Sequence, residues 1–224
     1  MVTELRDGVW WFEPMGVNAY LVADDEGLTL VDAGTPFDGG TVVEAIEAAG
    51  FDIADLERIL ITHYDFDHVG PLSTLAVDTP VYIGQADAPL LTGAERPSPY
   101  GIKRLTQLVS GPFVGDLPER RVRPLEDGDT VGGFTAHHAP GHTPGHTVYV
   151  HEERSAAFLG DLVIERDGEL APAPWFISRD RDRLEESIAD LAARLPDFEV
   201  AAMGHGTPFR TGGSERLRAL AERY

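Results

Sequence analysis

The chain contains no cysteine. That absence removes disulfides, thiolate metal ligands and a cysteine nucleophile together. Lysine is nearly missing as well: of 18 basic residues only Lys103 is lysine, against 38 aspartates and glutamates and a formal charge of -20. A surface so poor in positive charge suits neither nucleic acid nor anionic membranes, because both are gripped through basic patches. No apolar run reaches transmembrane length. Residues Met1 to Asp7 lack the basic-then-apolar order of an export signal. The expectation is a cytoplasmic protein with a small-molecule substrate and no nucleic-acid or membrane partner. Composition says nothing of its oligomeric state.

The acidic residues fall in scattered pairs, such as Asp24-Asp25, Glu152-Glu153 and Glu185-Glu186, and form no tail. Dispersed negative charge with almost no lysine points to adaptation to high salt, where self-repulsion is screened. A GC-rich genome with an acidic bias gives the same composition.

With 224 residues, 42% of them hydrophobic, and 24 glycines, the chain has the makings of one well-buried α/β domain. Short β patterns run over 9–12, 18–23 and 28–32, and Asp24-Asp25-Glu26-Gly27 makes the turn between the last two. Helical spacing of Val42, Val43, Ile46 and Ala49 marks a helix over 38–49, ended by Gly50. Residues 58–61 and 81–83 read as strands, and a helix starting at Asp67 turns Leu72 and Leu75 inward. From about 85 to 121 prolines break the pattern into short helical pieces, one near 102–109. Such an excursion serves as a lid or substrate-binding segment, or as a surface loop without a role. Strands resume at 130–131, 134–138, 147–150 and 156–159. An amphipathic helix covers 181–195, a strand 198–203 and a last helix 214–223. Strands and helices thus recur in two similar halves, which predicts a four-layer αβ/βα sandwich. There is no linker, repeat or low-complexity tract, so residues 1–224 are expected to form a single domain.

Metal-capable side chains gather at the ends of these strands, where open α/β sheets place their ligands. Behind Ile59-Leu60-Ile61 stands Thr62-His63-Tyr64-Asp65-Phe66-Asp67-His68-Val69-Gly70, with two histidines and two carboxylates in six consecutive positions. Pro140-Gly141-His142-Thr143-Pro144-Gly145-His146, Gly160-Asp161 and Gly204-His205-Gly206 each follow another strand. Imidazole with carboxylate suits zinc, iron or manganese.

The pattern Thr-His-x-Asp-x-Asp-His, Gly-His-Thr-Pro-Gly-His, Gly-Asp and Gly-His-Gly resembles the metallo-β-lactamase superfamily. It looks most like the small hydrolase branch that contains glyoxalase II and lactonases. The resemblance spans nearly the whole chain, including Leu30-Val31-Asp32-Ala33-Gly34. It implies a dinuclear metal-dependent hydrolase that opens an ester, thioester or lactone through a metal-bridging hydroxide. His63 and His142 would bind the first metal, with Asp65 beside them. Asp67, His68 and His205 would bind the second, and Asp161 would bridge both. A shared carboxylate offsets the repulsion of two cations about 3.5–4 Å apart. Asp67 would be the catalytic residue, orienting the hydroxide and taking up a proton.

The family usually carries histidine where Asp65 stands. With His63 and His142, Asp65 makes a two-histidine, one-carboxylate face, the ligand set of non-heme iron(II) sites. The expected cofactors are two divalent ions, zinc first, with iron or manganese admitted by Asp65. A tolerated substitution in a zinc enzyme, or an Asp65 that does not bind, are the alternatives. An iron-dependent oxidoreductase of the sulfur dioxygenase kind is the alternative function, and a non-catalytic binding scaffold a third.

The remaining candidates have plainer roles. Asp32 is expected either to orient a ligand histidine or to cap the turn before Gly34. His146 reads as structural or as a support to the ligands. His137 and His138 point to opposite sides of their strand, so at most one reaches the site. His151 reads as a surface residue. Tyr64, Phe66, Tyr100, Trp175 and Phe176 wall a substrate pocket or fill the core. A thioesterase of the glyoxalase II kind usually adds a C-terminal helical extension. The chain ends about one helix after His205, which disfavours glutathione thioesters. A secreted antibiotic-resistance enzyme would need an export signal.

Overall fold

The structure, a computed structural model, describes residues 1–96 and 114–224. Its first sheet has seven strands in sequence order: β1 (Thr3–Arg6), β2 (Val9–Phe12), β3 (Ala19–Asp24), β4 (Gly27–Val31), β5 (Leu56–Ile61), β6 (Val81–Gly84) and β7 (Val122–Leu125). β1 to β4 pair antiparallel, and β4 to β7 run parallel. The second sheet has the order β14-β11-β10-β9-β8, with β8 (Thr130–Val131), β9 (Phe134–His138), β10 (Thr147–His151), β11 (Ala156–Gly160) and β14 (Val200–Met203). A separate hairpin, β12 (Val163–Arg166) with β13 (Glu169–Pro172), lies between β11 and β14 in the chain.

The pleat explains the layers. In β5, Ile59 and Ile61 pack under helix α1 (Gly39–Ala48), while Leu60 faces the opposite way, into the seam between the sheets. In β11, Ala157 and Leu159 face outward, and Ala156 and Phe158 face the seam. Alternation with a period of two thus gives each sheet two buried faces. The outer face of the second sheet is covered by α4 (Arg181–Arg194), through Leu184, Ile188 and Leu191, and by α5 (Gly213–Ala221), through Leu217 and Leu220. Helices outside and two sheets inside make the four-layer sandwich expected from the sequence.

Differences from the expected elements have local causes. The helix expected from Asp67 is a single turn, α2 (Phe66–Val69), because Pro71 follows at once; Leu72 and Leu75 are nevertheless buried in the first core. β1, β7 and the β12–β13 hairpin escape a periodicity search because each mixes charged residues or proline with no more than two apolar ones. Tyr100 and the helical piece near 102–109 lie outside the described residues. The excursion is closed at its base by Arg96, whose Nη1 lies 3.1 Å from Asp116 Oδ1, and by the amide of Leu117 on the carbonyl of Leu91. A short helix, α3 (Ala88–Leu91), stands at its start.

His151 corrects the sequence reading. It is fully buried, and its Nε2 lies 2.8 Å from Asp24 Oδ2. Asp24 ends β3 of the first sheet and His151 ends β10 of the second, so this pair crosses the seam at the end remote from the strand-end histidines. A histidine at the end of a strand looks exposed in sequence; only the packing of the second sheet reveals what covers it.

Candidate metal centre

All the strand-end candidates converge on one rim of the seam. β5 delivers Thr62 and His63, and α2 then fixes the next three. Asp65 occupies the cap position of α2, and its carbonyl accepts from the amides of His68 and Val69. Its side chain makes no cap and turns inward, with Oδ2 at 3.4 Å from His63 Nε2 and 3.0 Å from His142 Nε2. One turn of helix carries Asp67 and His68 to the other side.

The second sheet supplies the rest. The loop holding His142 is braced by α4: Ser187 Oγ donates to Pro140 O at 2.7 Å, and the amide of Asp180 donates to Gly141 O. Asp161 follows a register break at the end of β11. His205 follows β14 through Gly204, where a Cβ would stand 2.1 Å from Asp161 Oδ1. Only glycine admits that approach.

Two groups result: His63, His142 and Asp161, and beside them Asp67, His68 and His205, each with ligand atoms mutually within 4.8 Å. Asp161 touches histidines of both, with Oδ1 at 3.6 Å from His68 Nε2 and Oδ2 at 3.6 Å from His142 Nε2 and 3.4 Å from His205 Nε2. Asp67 Oδ2 lies 3.7 Å from His205 Nε2.

The supporting bonds decide which nitrogen each ring offers. Asp32 Oδ2 accepts from His68 Nδ1 at 2.9 Å and from the Thr62 hydroxyl at 2.8 Å, and Oδ1 accepts from the Thr62 amide. Since the Thr62 proton goes to Asp32, Thr62 Oγ1 accepts from His63 Nδ1 at 3.0 Å. His205 Nδ1 donates to Gly16 O at 3.1 Å. Three rings therefore turn Nε2 toward the centre, as a neighbour on the far nitrogen does for a metal-binding histidine. His63 Nε2, His68 Nε2 and Asp161 Oδ1 are buried and make no hydrogen bond among the described residues. Buried polar atoms left that way are costly. An oxygen–imidazole set with these atoms aimed inward fits a pair of divalent cations.

The other candidates stand outside this set. His146 is buried and stacks on His63 at 5.1 Å between centroids; neither of its ring nitrogens is bonded among the described residues. His137 Nδ1 accepts from Arg194, and His138 Nε2 donates to Leu125 O, so neither reaches the centre. Tyr64 packs against the first core, whereas Trp175 and Phe176 are exposed on a loop tied to His142 O by the amide of Arg179. Sequence reasoning missed Asn18, whose Nδ2 donates to Met203 O and Gly206 O and so clamps the His205 loop to the first sheet. An asparagine opening a strand carries no signal of that role.

Residues 13–205 match the metallo-beta-lactamase superfamily. The chain belongs to that superfamily. Of its relatives, the probable metallo-hydrolase YflN of Bacillus subtilis (strain 168) is 28% identical over 257 residues, covering 99% of this chain and 96% of its own length. Hydroxyacylglutathione hydrolase GloC of Haemophilus influenzae is 27% identical over 206 residues, 89% of each chain. The solved structure of TTHA1623 in a di-iron-bound form is 31% identical, covers 95% of this chain and 96% of that one, and superposes with a TM-score of 0.69. This superfamily member carries a candidate dinuclear divalent-metal centre.

Charges at the centre are unevenly held. Burial, and then the charge of His68, hold His63 down at about 4. Burial opposes a charge on His68, but Asp32 and Asp161 outweigh it and push the ring up to about 10. At His205 burial is likewise outweighed, chiefly by Asp161, giving about 8. Burial raises Asp67, while Asp161, despite its burial, is held far below the carboxylate range by His68, His205 and His142. At neutral pH the metal-free second group therefore holds protons on His68 and His205 that a cation must displace. Its apparent affinity should rise with pH toward 8, by about tenfold per unit for each proton displaced, and keep rising toward 10 through His68. Calorimetric titration with zinc from pH 6 to 9 measures this; an affinity flat across that range would contradict the assignment.

Proposed function

We propose that the chain hydrolyses an ester, thioester or lactone at a two-metal centre, within the glyoxalase II and lactonase branch of its superfamily. The observation that carries this reading is Asp161, a single carboxylate in contact with histidines of both groups. His63, His142 and Asp65 would hold the first cation, and Asp67, His68 and His205 the second, with Asp161 between them. Bound there, a metal pair supplies a water of lowered pKa and a Lewis-acid contact for a carbonyl oxygen. The chain's own work is to hold the rings through Asp32, Thr62 and Gly16. Asp67, raised by burial, would orient the attacking water and take up its proton. The segment 85–121 is the candidate lid, with its base closed by Arg96 and Asp116.

Length does not narrow the substrate. GloC aligns over 89% of its own length, so a thioesterase name goes with a chain of this extent. Chain length alone therefore does not disfavour glutathione thioesters.

Asp65 supports a second reading, an iron-dependent oxidoreductase of the sulfur dioxygenase kind. A relative 31% identical is described in a di-iron-bound form, which favours iron alongside zinc. One experiment separates the readings: metal analysis after gentle purification, joined to a panel of lactone, thioester and β-lactam substrates with oxygen uptake recorded. Two metals per chain and turnover of a lactone or thioester are expected. Iron with oxygen uptake and no hydrolysis would favour the second reading, and a chain that takes up no metal would overturn both.

A further inference from the structure

Asp87 sits just before Ala88-Pro89, where an aspartate reads as the cap of the short helix α3, yet its side chain makes no cap there. It is fully buried, and all its side-chain bonds run elsewhere. Oδ1 accepts from the amide of Gly145 at 2.8 Å. Oδ2 accepts from the amide of Tyr64 at 3.0 Å and from the hydroxyl of Thr143 at 2.6 Å. Tyr64 lies between His63 and Asp65, and Thr143 directly follows His142. The contact is close enough to require glycine at 145, where a Cβ would stand 2.4 Å from the Asp87 amide nitrogen.

We infer that Asp87 is a positioning residue for the first metal site, one carboxylate that locks the loop of His63 and Asp65 to the loop of His142. The second group has its own anchor in Asp32, which bonds His68 directly. Asp87 contacts neither Asp67, His68, Asp161 nor His205 among its side-chain bonds, so its influence falls on one site. Three donors on a buried carboxylate form a charge-assisted network, and cutting it lets two ligand loops drift apart. Supports of this kind, when removed, cost about 10–100-fold in metal affinity.

The inference rests on the two-metal reading, and cobalt(II) titration followed by visible absorption keeps the two apart. The unaltered chain should take up two equivalents; uptake of none would overturn the two-metal reading itself. In Asp87→Asn, one equivalent should bind as before and the other about 10–100-fold more weakly, with an altered absorption envelope. Thr143→Val keeps the side-chain shape, removes one of the three bonds and should shift the same equivalent by less. Thr143→Ser, which keeps the hydroxyl, should restore it. Equal weakening of both equivalents, or a lowered melting temperature with both affinities unchanged, would overturn the positioning role. So would two normal equivalents in both Asp87→Asn and Thr143→Val.

Discussion

Asp161→Ala is expected to lower bound metal from two ions to about one per chain and to slow hydrolysis by about 10²–10³-fold, the cost of deleting one preorganised electrostatic contact to a reacting centre. Asp161 is buried and touches His142 on one side and His68 and His205 on the other. Removing it would take away the negative charge between the two groups and would leave the mutual repulsion of two bound cations uncompensated. Asp161→Asn separates shape from charge, since the amide keeps the volume and one acceptor. It should retain more of the fold's stability than alanine while losing nearly as much metal. Plasma emission analysis and steady-state kinetics on the same preparations measure both. Two retained ions with an unchanged rate would show that Asp161 does not join the sites.

Asp32→Ala should have the largest effect on stability, about 3–5 kcal/mol, the range for breaking a buried charge pair from one side. Three donors lose their acceptor: the Thr62 amide, the Thr62 hydroxyl and His68 Nδ1. Asp32 also has φ +55, a left-handed conformation that aspartate and asparagine adopt more readily than alanine. The pH dependence of the metal-free protein identifies the electrostatic share. His68 is raised in the fold from 6.5 to about 10, so its pairing stabilises fully below 6.5 and is lost as pH climbs through 10. The difference between the unaltered chain and Asp32→Ala should therefore be greatest near pH 6 and shrink toward pH 10. Urea unfolding at several pH values gives the result; a difference independent of pH would assign the loss to backbone strain and the neutral hydrogen bonds.

Much of this centre is legible in the sequence because strand-end loops carry dense chemistry in few residues. Glycine beside histidine or aspartate at a strand end marks His142, Asp161 and His205, and the apolar run Ile59-Leu60-Ile61 leading into Thr62 marks His63. The recurrence of strands and helices in two similar halves gave the four layers. What stayed hidden was set by contacts between distant residues. Asp87 has the sequence context of a helix cap, and its actual bonds reach 23, 56 and 58 positions away. His151 has the context of a strand end, and its partner Asp24 is 127 positions earlier. The helix expected after Asp67 failed through Pro71, a stop that periodicity alone outvoted. β1 and β7 stay hidden because their residues, Thr-Glu-Leu-Arg and Val-Arg-Pro-Leu, carry too little apolar pattern to mark a strand.

The pair His151–Asp24 gives the seam a rivet at the end opposite the metal centre. A book fastened at its spine and clasped at its fore-edge cannot be opened to admit a page. Entry of a substrate must then be decided by the loops at the rim, among them the exposed Met15, Phe37, Trp175 and Phe176, while the covers stay shut. Such a division lets rim residues change in size and polarity without shifting the side chains of the candidate metal centre, so new substrates can be tried on an unaltered engine.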